Sequence, residues 1–120
     1  MLNLSVENIG DLAVVQCEGR IVQSEAAFKL RQAVISQGDA QVVVLDLSEV
    51  HAVEGGGLGM LMFLQRWAHD HSIRFKLFNP SKSVRTRLEQ TGWLFEFDIP
   101  TLDEMMVLLG LADNGYALAA

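Results

Sequence analysis

Val42-Val43-Val44-Leu45 is an uninterrupted apolar run in which three residues are β-branched. A strand without polar alternation is buried on both faces, as a central or parallel strand is. The flanking patterns supply its neighbours. Leu4 to Ile9 alternates apolar and polar side chains, Gly10-Asp11 punctuates a turn, and Leu12 to Gly19 reads as a second strand with Ala13, Val15 and Cys17 on one face. The short spacing predicts an antiparallel hairpin. Cys17 reads as a small core residue rather than a reactive thiol.

Helical patterns fill the rest. Ser24 is the predicted N-cap of a helix running to about Gln37, with Ala27, Leu30 and Val34 on its inner face and Gly38 in the C′ role. A second helix begins near Gly57 and runs to His71, burying Leu61, Leu64 and Ala68. Ile73 to Phe78 is an apolar strand ended by Asn79-Pro80. Ser81 caps a third helix that turns Val84 and Leu88 inward and stops at Gly92. Glu96 to Ile99 is a weak strand candidate. Thr101 and Glu104 form a capping box for a last helix burying Met105, Leu108 and Leu109, and a frayed tail is expected from about residue 113. The expected architecture is α/β: a mixed sheet of about four or five strands packed with about four helices. Consecutive crossover helices should share one side of the sheet where strand order advances in one direction.

Length and composition narrow the function. The 120 residues fit one domain spanning the chain, half of them are apolar, and the net charge is −6. Duplex nucleic acid is a poor expectation for such an acidic chain. No apolar run is long enough to span a bilayer, so membrane insertion is not expected, and no secretory leader is recognisable. The single cysteine excludes a disulfide framework or a Cys-based zinc site within one chain, and a reducing cytoplasm is the expected compartment. The six basic residues of the second half all lie between Arg66 and Arg87. They read as a solvated helix face and strand end, or as a local positive patch that steers an acidic partner.

The stretch from Val44 to Leu61 carries the functional information: a strand, a loop, the cluster Gly55-Gly56-Gly57-Leu58-Gly59, then an amphipathic helix. Helix starts offer unpaired N–H groups and a positive dipole end. Yet Met60 and Leu61 follow where a P-loop needs Lys and Ser or Thr, and the glycine spacing breaks the dinucleotide fingerprint. His51, Glu54, Asp46 and Ser48 are the candidates for an acid–base site, without a visible pocket. His69 and His71 point to different helix faces and make poor shared ligands. No metal and no cofactor is expected.

Leu45-Asp-Leu-Ser-Glu-Val50 followed by Glu54-Gly-Gly-Gly-Leu-Gly59 resembles the signature of the STAS domain, the sulfate-transporter and anti-sigma-factor-antagonist family. That pattern is a strand ending in Asp-x-Ser-x-Val, then Asp-Ser-Ser-Gly-Leu-Gly, then a helix. The resemblance extends over nearly the whole chain, through the opening hairpin, Gly19, Val84, Leu88 and Gly92. It implies a non-enzymatic interaction module whose partner is commonly a serine-kinase-type anti-sigma factor, released when a loop serine is phosphorylated. It places partner contacts at Val53, Glu54, Gly55, Gly56, Gly57, Leu58 and Met60. The family's phosphorylated serine falls at Gly55, the next serine at Gly56, and its acidic residue at Glu54. The Asp that usually follows the strand-two glycine is absent, since Arg20 follows Gly19. The phosphorylation switch is therefore expected to be missing, unless Ser48, Ser81 or Ser83 has taken it over. Some family members without the serine dock on the ATPase of a membrane transporter, which is the alternative partner.

Overall fold

The computed structural model describes residues 1–114. Its elements are β1 (Leu2–Ile9), β2 (Leu12–Ile21), α1 (Ser24–Ile35), β3 (Val42–Val53), α2 (Gly56–Asp70), β4 (Arg74–Phe78), α3 (Lys82–Thr91), a 3₁₀ turn (Leu94–Glu96) and α4 (Leu102–Asp113). The sheet order is β1-β2-β3-β4. The first pair is antiparallel and the next two are parallel. This is the mixed four-stranded sheet with four helices that the periodicity predicts.

Because strand order advances in one direction, right-handed crossovers place α1 and α2 on one face, and α3 joins them. Leu30, Val34, Leu61, Leu64, Ala68, Val84 and Leu88 pack there against Ala13, Val15, Cys17, Val43, Leu45 and Leu77. The other face is covered by α4, where Met105 and Ala112 meet Leu12, Val42 and Val44. The run Val42 to Leu45 is thus buried from both sides, as its composition requires.

Several elements depart from the expected pattern. The first helix is not capped by Ser24. Gln23 is the N-cap, extended and without a side-chain cap bond, and Ser24 opens the helix. The helix ends at Ile35 with Ser36 as C-cap, so Gly38 lies beyond it in a turn and does not fill the C′ position. Ser36 satisfies the helix end instead, its Oγ donating to the Gln32 carbonyl at 2.6 Å. Glu96 to Ile99 is not a strand. Trp93 to Phe97 tightens into the 3₁₀ turn, and only Asp98 bridges β4, at Lys76. In α4 the capping box of Thr101 and Glu104 is present. Met105 is buried as expected and Leu108 and Leu109 are half-buried, while Ala112, absent from the expected face, is buried too. The helix runs through Asp113, and the tail expected to fray, Gly115 to Ala120, lies outside the described residues.

The largest departure is β3, which runs 12 residues to Val53, past the expected Leu45. Its pairing with β2 shifts register twice, between Gln16 and Glu18 and between Gly19 and Arg20. Each shift inserts an extra β3 residue. The residues facing α1–α3 are Val43, Leu45 and Leu47, then Val50 and Val53, so the inward step changes from two residues to three. An alternation test reads that stretch as loop.

Candidate functional site

The glycine cluster sits where β3 enters α2, beside the C-terminal end of β2. The Glu54 N–H donates to the Ile21 carbonyl at 3.2 Å, tying the turn to β2. The Glu54 carbonyl accepts from the Gly57 N–H at 2.9 Å. Gly55 is the N-cap of α2 with φ 53° and offers no capping side chain. That positive φ strains any residue with a Cβ. Gly57 is required for another reason: a Cβ there would overlap the Ile21 carbonyl. Gly56 and Gly59 face open space.

The seven residues expected to contact a partner therefore divide. Val53, Gly57 and Leu58 are buried and lock the turn onto the core. Glu54, Gly55 and Gly56 are exposed, and Met60 is half-buried one turn along α2. Phe63, the end of the apolar run Met60-Leu-Met-Phe63 that suits the docking of a transporter ATPase, is 44% exposed and has a neighbour across the helix pair on α1. Arg31 of α1 lies over the Phe63 ring at 5.5 Å. Phe28, on the same helix, is 58% exposed. The sequence signal was available, since Phe63 falls four positions after Gly59 on the outward stripe of α2.

The acid–base candidates do not converge into a reacting group. Asp46 and Ser48 are engaged with each other: the Ser48 hydroxyl and backbone N–H donate to Asp46 Oδ1 at 2.6 and 3.0 Å. His51 is exposed on β3. Glu54 Oε1 stands 3.9 Å from Arg87 Nε on α3, an exposed pairing worth little. His51 and Glu54 line an open groove of about 440 Å³ with Lys82, Thr86 and Arg87. Ser81 is occupied as the α3 cap: its hydroxyl donates to the Val50 carbonyl at 2.6 Å and accepts from the Val84 N–H at 3.4 Å. Ser83 is exposed. His69 is exposed on α2, and the His71 ring, at the helix end, stacks on Trp67. Among the described residues no three His, Cys, Asp or Glu side chains gather as metal ligands. Cys17 is buried, and burial, followed by the charge of Asp46, pushes its thiol up to about 12.

The basic residues from Arg66 to Arg87 are spread over α2, β4 and α3, with Lys82 and Arg87 lining one groove. Lys76 pairs with Asp98 and Arg87 with Glu54. Arg66 lies near Asp70 and Glu96, and Arg85 near Pro100 and Leu102. Among the described residues no helix is long and apolar enough to cross a membrane.

This chain has the fold of several solved proteins. An anti-sigma factor antagonist from Mycobacterium paratuberculosis superposes with a TM-score of 0.75 at 24% identity, covering 92% of this chain and 95% of that one. The phosphorylated form of the Bacillus cell-fate determinant SpoIIAA gives 0.67 at 17% identity, covering 89% and 99%. A sulfate transporter family protein from Wolinella succinogenes gives 0.69 at 16% identity, covering 87% and 88%. No curated protein matches the chain in sequence. The family model of the STAS domain matches residues 3–105, and the chain belongs to the STAS domain family.

Proposed function

We propose that the chain is a non-enzymatic, cytoplasmic interaction module of the anti-sigma-factor-antagonist type, acting in regulation of transcription. The observation that carries the reading is the exposed Glu54-Gly55-Gly56 turn, pinned to β2 from beneath and bare of hydroxyl groups. Glu54, Gly55, Gly56 and Met60 form the contact surface, extended by Phe63, while Val53, Gly57 and Leu58 hold it in place. The partner is a serine-kinase-type anti-sigma factor. The family's phosphorylated serine corresponds to Gly55, where no phosphate can be attached, so binding is constitutive. The antagonist neighbours support this reading through their shared fold.

A second reading keeps the surface and changes the partner to the ATPase of a membrane transporter. The neighbour from a sulfate transporter family supports a transport setting, while the ATPase follows from the family resemblance alone. Affinity purification of the chain from its native cells, with mass spectrometry of bait and prey, separates the two. Recovery of a serine-kinase-type anti-sigma factor with an unphosphorylated bait is the expected result. A transporter ATPase as the prey selects the second reading. Phosphate on Ser48, Ser81 or Ser83 overturns the constitutive mode.

A further inference from the structure

The four most exposed apolar positions of α4 form one surface. Leu102 is 64% exposed, Met106 60%, Val107 61% and Leu111 40%. At helical spacing they flank Gly110, whose missing side chain leaves open space along the middle of the face. The core does not need this surface. The opposite side of α4 already packs Met105 and Ala112 against Leu12, Val42 and Val44, with Leu108 and Leu109 alongside. A surface helix ordinarily turns polar residues outward. The charges of α4 itself have one sign: Asp103, Glu104 and Asp113 are exposed, Glu104 also serves the capping box, and the helix contains no Lys, Arg or His, although Arg85 of α3 lies beside Leu102.

We propose that the outer face of α4 is a docking surface for a cationic amphipathic helix of a protein partner. Such a helix lays its apolar stripe between the flanking side chains and over Gly110, and its Lys and Arg residues meet Asp103 near one end and Asp113 at the other. A second copy of this chain fits poorly. Antiparallel pairing of α4 sets Asp103 against Asp113, and parallel pairing sets Asp103 against Asp103. A helix of this length offers a footprint of about 18 Å by about 10 Å. That is far below the roughly 800 Å² per partner of a stable complex, so the contact is transient. A bilayer fits poorly too, because interfacial helices carry Lys and Arg on their polar face. The surface lies across the sheet from α2, so it stands independently of the Glu54–Gly56 contact.

The test titrates the full chain into a dye-labelled helical peptide of Leu and Lys in amphipathic order, with its Leu/Glu counterpart as control. Saturable binding of the Leu/Lys peptide is expected, with a dissociation constant of about 10–100 µM. Met106→Gln, which changes no charge, should weaken it about tenfold, as should Asp103→Lys. Glu89→Lys on α3 makes the same charge change elsewhere and should leave affinity within about twofold. Melting temperatures of all variants establish that they are folded. Absence of saturable binding overturns the proposal, as does equal weakening by Glu89→Lys. Self-association abolished by Met106→Gln would assign the face to a second copy and overturn it. Adsorption to phosphatidylcholine vesicles abolished by the same change would overturn it in favour of lipid.

Discussion

Gly57 Cα lies so close to the Ile21 carbonyl that the first turn of α2 and the end of β2 leave no room for a methyl group between them. Gly57→Ala should cost about 1–3 kcal/mol, since backbone must move to admit the Cβ. Gly59→Ala, two residues on in open space, should instead stabilise by about 0.5–1 kcal/mol through helix propensity. Urea melts of the two variants should therefore shift in opposite directions.

Helix capping offers a second contrast. Thr101 accepts from the Glu104 N–H at 3.1 Å, while the Glu104 carboxylate accepts from the Thr101 N–H at 2.9 Å. Thr101→Ala should lose about 1 kcal/mol. Ser24, a helix-opening residue without a cap bond, should tolerate alanine within about 0.5 kcal/mol. Thermal unfolding of both variants checks this.

The buried Cys17 thiol makes stability depend on alkaline pH. Its pKa is raised from 9.0 to about 12 by burial and then by the charge of Asp46. The folded state therefore holds its proton more tightly than the unfolded chain. The stabilisation is complete below the unfolded value and is lost as pH rises from about 9 toward about 12. Cys17→Ala should flatten the fall in stability over that window. At neutral pH the native thiol should react with a maleimide only as the protein opens.

Glu54 and Arg87 test how the turn is held. Their pairing spans 3.9 Å at exposed side chains, so Glu54→Gln should change stability by less than about 1 kcal/mol. The anchoring comes from backbone bonds to β2. Under the proposed function, Gly56→Asp places charge on the contact surface without a steric conflict. It should lower affinity for the captured partner at least about tenfold, with the melting temperature close to that of the parent.

The elements that periodicity identified were those whose two faces differ or whose ends carry distinct chemistry. The Leu61, Leu64 and Ala68 stripe, the Ser81 cap of α3, the left-handed Gly92 and the Thr101–Glu104 box all stand where the residues placed them. Ser24 misled because its hydroxyl is equally at home one position later. Glu96 to Ile99 misled because Phe97 is buried by packing rather than by strand alternation. The extension of β3 was hidden for a definite reason: register shifts replace the two-residue step that identifies a strand. At the site, the motif locates the turn, but only the folded structure separates exposed Glu54, Gly55 and Gly56 from buried Val53, Gly57 and Leu58. Whether a residue in a tight turn faces water or core depends on β2, which is distant in sequence.

The two register shifts of β3 also change what that strand can display. A regular strand yields one outward side chain for each one it buries. Between Leu47 and Val53, β3 yields two: Ser48 and Glu49, then His51 and Ala52, none of them buried. The strand end leading into the glycine turn is thus a cassette with twice the usual surface vocabulary. Its outward letters can be rewritten while Leu47, Val50 and Val53 keep the core unchanged.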